Sequence, residues 1–102
     1  MPTHDFTELF GKYEKVVGRM PDTFTSHKFI LQLARQEQRL YIEALHAYRN
    51  KKHRGKPAPF LILHGILAQQ LSASPKLIRQ MGRVNSTDIF GYSNVCAKWK
   101  KL

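Results

Sequence analysis

Along residues 5–20 the apolar side chains Phe6, Leu9, Phe10, Tyr13, Val16, Val17 and Met20 recur at steps of three and four, which places them on one stripe of an amphipathic helix. Asp5 with Glu8 three positions later is a capping-box variant at its start. Gly18 weakens its last turn, and Pro21 biases Met20 out of the helical region, so the chain turns there. A second helical pattern begins at Thr25 or Ser26, either of which can cap, and carries Phe29, Ile30, Leu33, Ala34, Leu40, Tyr41, Ala44, Leu45 and Tyr48. Unbroken, it would run roughly 35 Å at 1.5 Å per residue, about the diameter of a domain of this size. A bend is therefore expected, and the polar stretch 35–39 is the place for it.

Residues 49–59 hold no apolar side chain other than alanine and proline, so they cannot feed a core and read as a loop. Pro59 suits the first turn of a third helix containing Phe60, Leu61, Leu63, Ile66, Leu67, Ala68 and Leu71, apolar nearly all round and hence central. Ser74 followed by Pro75 opens a short fourth helix, Lys76, Leu77, Ile78, Arg79, Gln80 and Met81, with Gly82 as its left-handed stop. Two readings stand for residues 83–102. One is a terminal helix with Val95, Trp99 and Leu102 on one face, pinning Trp99 into the core; the other is a short hairpin about Gly91-Tyr92-Ser93-Asn94, acting as a wing. The expected class is all-α, a single domain over residues 1–102 with four to five helices.

Composition narrows this further. With 102 residues, 42 % apolar and 24 % charged, the chain is globular in type and long enough for one core. Its longest apolar run, Phe60-Leu61-Ile62-Leu63, is far short of the roughly 20 residues a bilayer crossing takes, so no membrane partner is expected. A lone cysteine, Cys96, makes no internal disulfide, which fits a reducing, cytoplasmic setting, and it reads as a half-buried small apolar residue. The formal charge of +10 is lopsided: residues 1–48 carry six bases and six acids, whereas residues 49–102 carry eleven bases and the single acid Asp88. An excess so one-sided works against compaction and points to a polyanionic partner.

Enzymatic classes find little footing. His4, His27, His46, His53 and His64 are scattered, with no zinc spacing among them, and the basic half lacks the carboxylate cluster a magnesium nuclease needs. Glu43 and His46, three apart on one helix face, read as a solvated pair, and the six glycines never fall into phosphate-loop spacing. No catalytic residue, cofactor or metal is expected.

Over residues 65–83 the chain resembles the helix-turn-helix DNA-binding family. Ala68 matches the small residue at the helix crossing, Leu67 and Leu71 flank the turn, Ser74 caps, and Ile78 and Met81 match the anchors of the second helix. Ser72 stands where the family prefers glycine, and Ala73 where a larger aliphatic residue is usual. The resemblance implies a recognition helix whose outward set, Ser74, Lys76, Arg79, Gln80 and Arg83, contacts base edges. Arg49, Lys51, Lys52, Arg54 and Lys56 of the basic loop, with Lys98, Lys100 and Lys101, would then neutralise phosphates. Duplex DNA binding through this helix-turn-helix, sequence-specific or architectural, is the leading expectation, a small transcriptional regulator being one role it would suit, with the neutral half offering a homodimer face. The alternatives are an RNA-binding protein or a protein-interaction module that binds no nucleic acid.

Overall fold

A computed structural model describes residues 4–50, 52–53, 56–57 and 59–102, the four residues of the 52–57 segment by backbone alone. The N-terminal stripe forms two short helices, α1 (Thr7–Phe10) and α2 (Tyr13–Gly18), rather than one. The break follows Gly11, where a Cβ would stand 3.3 Å from the carbonyls of both Thr7 and Glu8. The stripe itself survives the break: Leu9, Tyr13, Val16, Val17 and Met20 are all buried. Strand β1 (Thr23–Thr25) follows, then α3 (Ser26–Gln36), whose start is capped by the Thr25 hydroxyl accepting from the Lys28 amide at 3.2 Å. The expected bend falls at Glu37 (φ −121°, ψ 58°), inside the polar stretch, and α4 (Gln38–Ala47) continues beyond it.

In place of an open loop, the basic segment carries a two-residue ladder, β2 (Lys52–His53) against β3 (Lys56–Pro57). The central helix is α5 (Pro59–Ser72), with Leu63, Leu67 and Leu71 wholly buried. Tyr13 ties it to α2 by donating its hydroxyl to the Leu67 carbonyl at 2.7 Å, and burial raises the pKa of that phenol.

The chain is not all-α. Beyond α5 it forms β4 (Ile78–Thr87) and β5 (Ser93–Lys101), and β5 takes up β1 on its other edge, giving a three-stranded antiparallel sheet in the order β1-β5-β4. The fold is mixed, a helical body packed on a small sheet. The short fourth helix is absent: residues 75–77 make one turn, with the Leu77 amide donating to the Ser74 carbonyl, and the strand begins at Ile78. A six-residue helix carries the full cost of nucleation for a few hydrogen bonds, whereas the same residues in β4 gain a continuous ladder with β5. Gly82, at φ +125°, is no helix stop. It sits in a bulge where Met81 is the unpaired extra residue between the Gln80–Trp99 and Gly82–Lys98 pairs.

Of the two readings of the C-terminal stretch the hairpin holds, with Gly91 at φ +92° in its turn and Asp88 bracing it by accepting the Phe90 and Tyr92 amides at 2.9 and 3.0 Å. Trp99 is buried as expected, from a strand: it pairs with Phe24 of β1, and its indole N–H donates to the Ser26 hydroxyl at 2.9 Å. Cys96 is buried too. Among the described residues no helix is long and apolar enough to cross a membrane.

Candidate nucleic-acid interface

The five residues assigned to base contacts do not form one ridge, because alternation along a strand sends neighbours to opposite faces. Ser74 is turned back on its own helix, its hydroxyl donating to the Gln70 carbonyl at 2.8 Å instead of capping forward. Lys76 is exposed in the turn after α5. Arg79 pairs directly with Lys100. Gln80 pairs with Trp99 on the other face and donates to the Gly82 carbonyl at 3.4 Å. Arg83 lies beyond the bulge, opposite Ala97, at the mouth of a separate cleft. The recognition helix is thereby withdrawn, while Arg79 and Arg83 remain exposed.

The residues assigned to phosphates divide as well. Lys98 and Lys100 alternate with buried Trp99 on β5 and so leave the sheet on its outer face. Lys101 does not join them: its ammonium donates to the carbonyls of Gly18 and Met20, at 3.3 and 2.9 Å, closing the end of α2. Arg49 is exposed and donates to the His46 carbonyl at 3.0 Å. Lys51 and Arg54 lie outside the described residues, and the side chains of Lys52 and Lys56 do too.

What the sequence reading missed sits in the neutral half. Between α3, β1 and β5 runs a groove of about 530 Å³ lined by Arg19, Lys28, Arg35 and Lys98 together with Thr23 and Thr25, and among the described residues its wall holds no carboxylate. Lys28, Gln32 and Arg35 follow one another at steps of four and three along α3, so one helix face supplies three of its polar side chains. Arg19 comes from the end of α2 and Lys98 from β5. The signal was present as an acid-free stripe on that helix; counting charge over the whole half hid it. Beside the groove, Lys100 and Arg79 extend the cationic face across the sheet. Ion pairs among the described residues engage only Arg39, with Glu8 and Glu43, and Lys100, whose ammonium is 3.3 Å from Asp22. The groove cations are not among them.

A second recess brings together histidines that sequence spacing had set apart. A cleft of about 370 Å³ lies between α3, α5 and the hairpin, with His27, His64, Asp88 and Arg83 in its wall. His64 Nε2 is 2.7 Å from the Tyr41 hydroxyl, and both side chains are buried. Burial lowers the His64 pKa to about 4, against the opposing pull of Asp88, and pushes the Tyr41 phenol up to about 12. Burial also lowers the His27 pKa, and His27 Nδ1 is a buried nitrogen with no hydrogen-bond partner. No group of three or more His, Cys, Asp or Glu among the described residues is arranged to hold a metal ion. The chain matches no family model, no curated protein and no solved structure.

Proposed function

We propose that the protein binds duplex DNA, holding its phosphates along the groove between α3, β1 and β5 and across the outer face of the sheet. The observation that carries this reading is the groove itself: four cations from three separate parts of the chain line one wall that contains no carboxylate. Gathering like charges costs stability unless a polyanion neutralises them, and releasing the counterions of that polyanion is what drives such binding. The adjoining Arg79–Lys100 pair, like charges placed directly opposite on a ladder, carries the same cost and extends the same surface.

Arg19, Lys28, Arg35, Lys98, Lys100 and Arg79 act as positioning contacts to the backbone, which fix the duplex on the protein without reading its sequence. The hairpin β4–β5, rather than a helix, is the element that projects along the duplex, in the manner of a wing. A cytoplasmic setting accompanies this reading, resting on the single free thiol.

The test is a fluorescence-anisotropy titration of a mixed-sequence duplex at several salt concentrations, with structured RNA as competitor. Affinity that falls steeply with salt, and that RNA competes for only weakly, supports the assignment. Retention of RNA in preference to duplex would transfer the surface to RNA, and no binding of either at low salt would overturn it.

A further inference from the structure

The cleft between α3, α5 and the hairpin has features that packing alone does not account for. His27, nine-tenths buried, holds Nδ1 without a partner, although a buried polar atom left unpaired destabilises the fold. Gly65 stands in the middle of α5 and lines the same cleft, yet a Cβ built there would meet nothing within 4 Å. Glycine within a helix is less stable than alanine, so the missing side chain keeps space open and fills no packing need. The recess lies within the size range of small-ligand sites.

Its wall restricts the occupant. A hydrocarbon would leave His27 Nδ1 unanswered, and it would lie against the buried Asp88, whose Oδ1 already accepts the Phe90 and Tyr92 amides, without using its charge. A simple anion would be repelled by Asp88, and a simple cation by Arg83 at the mouth. Ile30, Ala68, Ala97 and Trp99 provide apolar surface for a flat ring. A neutral heterocycle with both donors and acceptors on its edge, attached to a phosphate, answers all of these groups at once.

We infer that the cleft between α3, α5 and the β4–β5 hairpin binds one nucleotide unit, the base edge meeting His27 Nδ1 and Asp88 and the phosphate meeting Arg83. This deepens the nucleic-acid reading and rests on it, since His27 and Lys28 are consecutive on α3 and line the cleft and the cationic groove respectively. The unit reaches the cleft either as a free nucleotide or as a base turned out of a bound strand.

Trp99 is the single tryptophan of the chain and lines the cleft, so its fluorescence reports occupancy. The full chain is titrated with each of four nucleosides, with their 5′-monophosphates and with single-stranded homopolymers, alongside Gly65→Leu and Arg83→Gln. Gly65→Leu adds bulk where there is open space, and it should weaken the response by about tenfold or more while duplex affinity stays unchanged. Arg83→Gln should weaken monophosphates severalfold and the corresponding nucleosides little. Saturation by a monophosphate assigns the cleft to free nucleotides; saturation by the homopolymer alone assigns it to an extruded base. No saturable response to any probe, or one that survives Gly65→Leu, overturns the inference. Duplex affinity left unchanged in Arg35→Ala and Lys98→Ala, in a chain that still responds to nucleotides, would instead count against the duplex reading alone.

Discussion

Arg79 on β4 stands directly across the ladder from Lys100 on β5, and among the described residues the one carboxylate paired with either is Asp22, 3.3 Å from the Lys100 ammonium. Like charges placed opposite one another destabilise a sheet by several tenths of a kcal/mol, about what an opposite pair would return. Arg79→Glu is therefore expected to raise stability by about 0.5 kcal/mol while lowering duplex affinity severalfold. Urea denaturation and anisotropy on the same sample read both quantities. Greater stability with unaltered affinity would remove Arg79 from the binding surface.

The groove cations and Lys101 should behave in opposite ways. Arg35→Ala and Lys98→Ala each remove one phosphate contact, so each should flatten the dependence of log affinity on log salt by about one unit, whatever the duplex sequence. Lys101→Met loses the hydrogen bonds to the Gly18 and Met20 carbonyls instead. It should cost about 1 kcal/mol of stability and leave the salt slope of the folded protein in place.

Acid should weaken the fold through His64. Its folded pKa is about 4 against an ordinary 6.5, so between those values the unfolded chain binds the proton and the native state refuses it. Stability is complete above about 6.5 and falls as pH drops towards 4, by up to about 3 kcal/mol across that window. His27, also lowered by burial, adds to the fall, and the pull of Asp88 on both imidazoles reduces it. Urea midpoints across the window measure the slope. In His64→Gln the Tyr41 hydroxyl keeps a partner, and the slope should shrink; an unchanged slope would place the titrating group elsewhere.

Two glycines should respond with opposite sign to the same substitution. Gly82→Ala forces an L side chain onto φ +125° within the bulge and should cost about 1 kcal/mol or more. Gly65→Ala places a methyl group in open space on a helix and should gain roughly 0.5–1 kcal/mol. Thermal denaturation of the two variants provides the comparison, and a destabilised Gly65→Ala would mean that its cleft is not open.

Much of the helical half was legible, because its signals are local. The Thr25 cap, the break within residues 35–39 and the burial of the 9–20 stripe all follow from spacing and from a few capping residues. The C-terminal half was misread where local and distant preferences conflict. Ile78 and Met81 stand at helical spacing, yet Ile78 is buried as the first residue of a strand and Met81 is the exposed bulge residue. Only pairing with β5 settles that choice, and strand pairing between distant segments leaves little trace in a short window. The cationic groove was hidden for a related reason: Arg19, Lys28, Arg35 and Lys98 meet only once β1 is laid beside β5.

That seam between β1 and β5 also governs how the molecule assembles. The N-terminal helices can form early, but Phe24 must find Trp99 across about three-quarters of the chain before the three-stranded sheet exists. Closing so long a loop precedes any reward from the contact, so refolding is expected to be slower than for a helical bundle of equal length, on the order of milliseconds or longer. The same topology makes the last few residues a latch: trimming β5 would release the first strand along with it, and with them the wall that gathers the charges.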